Sequence, residues 1–136
     1  MLAARLLLDT NVLLAAVLEP ERLAREVDSQ LRNPDCTVFF SAASIWEIGI
    51  KASLGRDDFP FQPEDIHQLA FETGFVELPV GASHGSIISR LPWHHRDPFD
   101  RMLIAQAQAM PAQLLTTDTL LARYSDLVYL TRIAHP

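Results

Sequence analysis

Scarcity is the first signal in this chain. Its 136 residues include a single cysteine, Cys36, so no internal disulfide and no cysteine-rich zinc site can form. That lone sulfur suits a reducing cytoplasm, where it reads as an inert, partly buried thiol. Basic residues are outnumbered, 11 Lys and Arg against 17 Asp and Glu, for a net charge of −6. Such a balance excludes a broad cationic surface that grips nucleic acid by phosphate neutralisation alone. It leaves a nucleic-acid substrate open, because bound divalent ions reverse the sign inside a site. No apolar run approaches membrane-spanning length. The opening MLAARLLLDTNVLLAAVLEP is broken by Asp9 and Asn11 and followed by Glu19 and Glu21, which spoils it as an export signal. A soluble cytoplasmic protein with no membrane partner is the expectation. Also missing are a G-x-S-x-G elbow, a phosphate-cradling glycine loop, internal repeats and low-complexity tracts.

Apolar residues, by contrast, are plentiful at 49%. That is the high end for a soluble domain. The chain length fits one domain, residues 1–136, able to bury a real core. The apolar excess then implies either a dense core or a surface covered by a partner.

Strand and helix signals alternate along the chain. Arg5 to Leu8 is a continuous apolar run, the mark of a buried strand, and Asn11 to Leu18 resumes as a helix closed by Pro20. Leu23, Val27 and Leu31 recur at spacing four and predict a helix from about Glu21 to Arg32. Thr37 to Phe40 is β-branched and aromatic, hence a strand. Ser41 to Leu54 is a helix opened by serine and stopped by Gly55. After a proline-bearing loop, Glu64 to Thr73 is a helix ending at Gly74, and Phe75 to Val80 a strand whose Pro79 places it near a sheet edge or strand end. Ser83 to Leu91 and Pro98 to Ala109 are helices, the latter with proline in its first turn. Gln113 to Thr116 is a strand, Thr119 to Tyr124 a short helix and Leu127 to Thr131 a last strand. This alternation predicts an α/β fold in three layers, a central parallel sheet of four to five strands between helices.

Acidic residues sit at the turning points of that pattern: Asp9 in LLLDTN, Glu47 in SIWEIGIK, Asp100 in RDPFDRMLIAQA and Asp118 in LLTTDT. Each has a bland explanation. Asp97 before Pro98 is a good N-cap, with Asp100 in the first turn where a carboxylate suits the helix dipole. Ser44 and Glu47 fit an S-x-x-E capping box, and Asp9 and Asp118 stand where aspartate caps turns. Together they say more. Asp9 and Asp118 both leave the C-terminal ends of strands, the edge where open α/β sheets bind ligands. Glu47 lies among Ile45, Ile48 and Ile50, where a half-buried carboxylate is costly without a partner. Carboxylates gathered from all along a chain repel unless a hard cation joins them, which points to magnesium or manganese.

The blocks LLLDTNVLL, SAASIWEIGIKASLG, HHRDPFDRMLIAQA and LLTTD, in this order and across nearly the whole chain, resemble those of the PIN-domain ribonucleases. They are most similar to the VapC-like toxins of bacterial toxin–antitoxin pairs. The resemblance implies a PIN-like fold and an acidic quartet of Asp9, Glu47, Asp100 and Asp118 around Mg²⁺ or Mn²⁺. Asp9 and Asp100 would be the firmest ligands, with Asp97 the competing assignment to Asp100. Thr10, Asn11, Ser41, Asp97 and Thr117 would orient ligands or waters, or act as caps and turn residues. The implied activity is metal-dependent endoribonuclease cleavage by a toxin held in check by a cognate VapB-like antitoxin, with a homodimer as the assembly. That antitoxin would lie along the helices Glu21–Arg32 and Ser41–Leu54.

Other residues carry paired readings. Lys51, four after Glu47, forms either an i,i+4 ion pair or a substrate contact. His94, His95, Arg96 and Arg101 offer a basic cluster for RNA phosphate, or idle loop residues. Trp46 and Trp93 read as core, with base stacking the alternative. His67, His84 and His135 show no zinc spacing. Of the rival classes, a receiver-type phosphoacceptor lacks the lysine it needs after the late strand, and a catalytically silent PIN-like interaction module has no reason to keep every acid.

Overall fold

The computed structural model describes residues 1–135. In order, the elements are β1 (Arg5–Leu8), α1 (Thr10–Leu18), a 3₁₀ turn (Pro20–Arg22), α2 (Arg25–Leu31), β2 (Thr37–Ser41), α3 (Ala42–Ser53), α4 (Pro63–Thr73), β3 (Val76–Leu78), α5 (Ala82–Ile88), α6 (Pro98–Ala109), β4 (Gln113–Thr116), a second 3₁₀ turn (Leu121–Arg123) and β5 (Val128–Leu130). All five strands run parallel in the order β3-β2-β1-β4-β5. The order reverses at β1, so a crevice opens beyond its C-terminal end, between the connections that leave in opposite directions.

Both faces of the sheet are covered. Leu6 and Leu8 of β1 join Val12, Phe40, Ile48, Ile66 and Leu115 in one core, while Leu7 points the other way into Leu103, Ile104, Leu114 and Leu121. That division follows from the strand period of two, and the whole of Leu6–Leu8 is fully buried. Each such leucine contributes roughly 1.5–3 kcal/mol relative to an exposed one. The short β3 and β5 form the edges, as Pro79 implied for the former. Gly74 closes α4 at φ 91°, a left-handed cap that favours glycine.

The helix expected over Glu21 to Arg32 is broken. Pro20–Arg22 is a single tight turn, and Leu23 leaves it to bridge Ile133 in antiparallel fashion. Ala134 N–H donates to the Arg22 carbonyl at 2.8 Å, and Arg22 Nε donates to the Ala134 carbonyl at 2.6 Å. A segment more than a hundred residues away thus captures backbone groups that a helix would have used, and only Arg25–Leu31 stays helical. The helix expected over Thr119 to Tyr124 shrinks to its 3₁₀ turn. Trp46 and Trp93 are not core residues. They stand 74% and 76% exposed over an apolar groove of about 740 Å³ that Val80, Ile88, Phe99 and Met102 also line.

Candidate metal centre

Parallel register brings the acids together. Leu8 pairs with Leu115, so Asp9, the next residue, stands beside Thr116 at the sheet's C-terminal edge. Asp9 caps α1 by accepting the Val12 N–H at 2.8 Å on Oδ1, while Oδ2 accepts the Thr116 hydroxyl at 2.5 Å. Thr116 Oγ1 in turn accepts the Asp118 N–H at 3.1 Å. One buried threonine therefore ties the first acid of the quartet to the last.

Glu47 reaches the same edge from α3. Its Oε1 accepts the Thr10 hydroxyl at 2.7 Å, and Thr10 Oγ1 lies 3.0 Å from Ser44 Oγ. Because a carboxylate can only accept, Thr10 gives its proton to Glu47 and takes one from Ser44. Lys51, the chain's only lysine, pairs with Glu47 Oε2 at 2.9 Å, the i,i+4 contact its spacing predicted. The S-x-x-E capping box is not formed. Ser41 is the N-cap, accepting the Ala43 N–H at 3.0 Å, and Ser44 is freed to orient Thr10.

Asp97 caps α6, accepting the N–H groups of Phe99 and Asp100 at 2.8 and 3.1 Å. Asp100, one turn in, faces the crevice. Its Oδ2 lies 3.3 Å from His95 Nε2, and Asp118 Oδ2 lies 2.8 Å from the same nitrogen. Among the described residues, His95, Asp100 and Asp118 form the one group of three potential metal ligands, with donor atoms within 4.8 Å of one another.

The electrostatics show how crowded the site is. Burial, then the charge of Asp97, raises the Asp100 carboxyl to about 7 against the helpful field of His95, with Asp9 and Glu47 adding to the rise. Asp9 is also raised, first by burial and further by Glu47, although its bonds to Thr116 and Val12 pull the other way. These couplings place Asp9, Glu47, Asp97 and Asp100 within one field. Lys51 pairs with Glu47, and the His95 ring lies against Asp100 and Asp118. A hard divalent cation fits this donor set, since it would offset the burial and repulsion that together raise Asp100. Asp100 and Asp118 could ligate directly. Asp9 and Glu47 already spend oxygens on Thr116, Val12, Thr10 and Lys51, which leaves their remaining lone pairs for the ion or its waters.

The remaining expectations divide. Asn11 and Thr117 are exposed beside the crevice, and neither side chain bonds to an acid. Arg101 does not face substrate. It is buried, its Nη1 donates to the Pro92 carbonyl at 2.9 Å and its Nη2 to the Ile88 carbonyl at 3.0 Å, and its guanidinium stacks on the Trp93 ring at 4.0 Å. His95 is turned to the acids rather than outward, and His94 packs edge-on against Tyr124. Thr116, Ser44 and Tyr124 are organising residues that sequence reasoning missed. Only Thr116, directly before Thr117 and Asp118 at a strand end, carried a local signal.

Comparison with known proteins agrees with this fold. The PIN domain model matches residues 6–127. The fold is similar to that of VapBC2 from Rickettsia felis, crystallised bound to a DNA fragment from their promoter, at TM-score 0.68 and 16% identity over 93% of this chain and 98% of that one. It is also similar to a domain of a functionally unknown protein from Methanocaldococcus jannaschii, at TM-score 0.61 and 18% identity over 98% and 95%. No curated protein matches in sequence. At these identities the structural likeness is one of fold, and family membership rests on the model match. That match begins on β1 and runs past Asp118, spanning every acid of the cluster: the chain belongs to the PIN domain family.

Proposed function

We propose that this protein is a metal-dependent endoribonuclease, the toxin of a toxin–antitoxin pair, with Asp9, Glu47, Asp100 and Asp118 as its catalytic acids. The observation that carries the reading is that Asp100 and Asp118 share the His95 Nε2 while Asp97, Asp9 and Glu47 lie near enough to add to the burial that lifts Asp100 to about 7. Bound Mg²⁺ or Mn²⁺ supplies an activated water for in-line attack on a phosphodiester and offsets charge on the leaving oxygen. The chain's own residues prepare that site. Thr116 and the Val12 N–H fix the orientation of Asp9, Thr10 and Lys51 fix that of Glu47, and Asp100 surrenders its proton as the ion enters. Asp97, whose Oδ1 already accepts both capping bonds from α6, acts through Asp100 rather than as the main ligand. Residues 1–136 act as one PIN-like domain.

Family membership and the fold shared with VapBC2 support the toxin role. A cleft of about 870 Å³ opens beside Asn11 and Thr117, lined by Leu14, Leu18, Leu23 and Phe61. It runs between α1 and the C-terminal segment, rather than between the two helices the sequence suggested, and it is the surface we assign to an antitoxin's apolar segment. The groove under Trp46 and Trp93 is assigned to a homodimer contact, because a soluble monomer rarely leaves such aromatics uncovered. Among the described residues no helix is long and apolar enough to cross a membrane.

The test is cleavage of mixed cellular RNA by purified protein with Mg²⁺, with Mn²⁺ and with EDTA, beside Asp9→Asn. Metal-dependent cutting that disappears in the variant is the expected result. Cutting that survives EDTA, or that Asp9→Asn retains in full, refutes the assignment. Metal binding without any cutting would favour the silent interaction module.

A further inference from the structure

The loop of residues 91–97 holds an imidazole with both ring nitrogens engaged. Asp97 N–H donates to His95 Nδ1 at 3.0 Å, so Nδ1 carries a lone pair and the ring proton sits on Nε2. That proton points between Asp118 Oδ2 at 2.8 Å and Asp100 Oδ2 at 3.3 Å. The backbone of His95 is gripped as firmly as its ring. Its N–H donates to the Tyr124 hydroxyl at 2.8 Å, and that hydroxyl donates back to the His95 carbonyl at 3.3 Å. Arg101 Nη1 donates to the same hydroxyl at 3.2 Å, anchoring the clamp to a buried guanidinium. The His95 side chain is only 15% exposed.

We infer that His95 is a positioning residue of the metal centre, whose tautomer-locked Nε2–H spans Asp118 and Asp100 and holds the two carboxylates ready for the cation. The inference rests on the metal-dependent reading given above. A rival role as ligand conflicts with the geometry. As a ligand, Nε2 would have to offer a lone pair, which moves the ring proton to Nδ1 and sets it head-on against the Asp97 N–H. A hydrogen-bond donor at Nε2 remains. It lets two like charges share one hydrogen-bonding group, and it fixes which oxygens face the crevice. Outer partners of this sort typically set metal affinity by roughly 10- to 100-fold.

The test compares the wild-type chain with His95→Ala, His95→Gln and Asp100→Asn by calorimetric titration with Mn²⁺ in the absence of RNA. His95→Ala is expected to bind Mn²⁺ roughly 10- to 100-fold more weakly, and His95→Gln, whose amide N–H replaces the Nε2 donor, to recover most of that loss. Wild-type affinity in His95→Ala overturns the inference, as does tighter binding, which would make His95 an obstacle to the ion. A glutamine variant as weak as the alanine one overturns it in favour of a ligating imidazole. Nitrogen NMR of the wild-type ring provides a reading that needs no variant. A protonated Nε2 and bare Nδ1, both before and after Mg²⁺ is added, support the inference, and transfer of the proton to Nδ1 on loading refutes it. Failure of the underlying reading looks different: the wild type binds no Mn²⁺, or Asp100→Asn binds as well as wild type, and the inference falls with it.

Discussion

Replacing Asp100 with asparagine should make the metal-free protein more stable, and the gain should depend on pH. The folded chain holds the Asp100 proton up to about 7, whereas the unfolded chain releases it near 3.8. Since the folded state binds that proton more tightly, the destabilisation is absent below about pH 3.8, grows as the pH rises and is complete above about 7. At about 1.4 kcal/mol per pH unit the full span is on the order of 4 kcal/mol. The carboxyl is still 24% exposed, so solvent screening cuts this to on the order of 2 kcal/mol. The asparagine side chain is neutral throughout and keeps an oxygen for the His95 N–H. Urea denaturation in EDTA measures the difference, urea being uncharged and so leaving the electrostatics unscreened. The variant should exceed wild type by about 2 kcal/mol at pH 8 and by less than half of that at pH 4. Asp9, also raised, repels Asp100, so the asparagine relieves it as well and adds to the gap at high pH. Saturating Mg²⁺ should reverse the ranking by stabilising only the wild type. A variant no more stable than wild type at pH 8, or a gap that does not narrow at pH 4, would show that Asp100 is not strained by its burial and its neighbours.

Three further perturbations test other parts of the structure. Arg101→Met removes the donors that serve the Pro92 and Ile88 carbonyls and the Tyr124 hydroxyl, and should cost about 3 kcal/mol or more in urea midpoint analysis; a loss under about 1 kcal/mol would mean water replaces the guanidinium without penalty. Gly74→Ala forces an L side chain to φ 91° and should cost about 1 kcal/mol by thermal unfolding, with no change in metal affinity. Trp46→Glu or Trp93→Glu should shift sedimentation velocity from dimer to monomer while leaving circular dichroism unaltered, and an unchanged dimer would move the interface elsewhere.

Much of this architecture was legible residue by residue. Three buried leucines followed by aspartate announce a central strand and its ligand edge, and Pro98 and Gly74 mark helix ends because their backbones permit little else. The quartet could be named because each acid interrupts or opens an apolar element. Its support could not. Thr116 bonds Asp9 across 107 residues, a meeting that only strand register creates. Ser44 looked like a cap, but Ser41 was better placed to take that duty. Arg101 resembled a surface cation, but it is buried, with its guanidinium against the Trp93 ring and the carbonyls of Pro92 and Ile88. The failed helix at Glu21 has the same cause: its partners Ile133 and Ala134 lie at the far end of the chain.

The bond from Thr116 to Asp9 also orders events in time. A chain emerges from the ribosome with its N-terminal end first. Asp9 therefore emerges first, Glu47 and Asp100 follow, and the strand that brings Thr116 and Asp118 to β1 comes after them. Until β4 slots in beside β1, Asp9 has no Thr116 hydroxyl to orient it, and Asp100 and Asp118 have no shared imidazole. The acid cluster is therefore assembled only once β4 has joined the sheet, so the order of strands along the chain sets when the site can form.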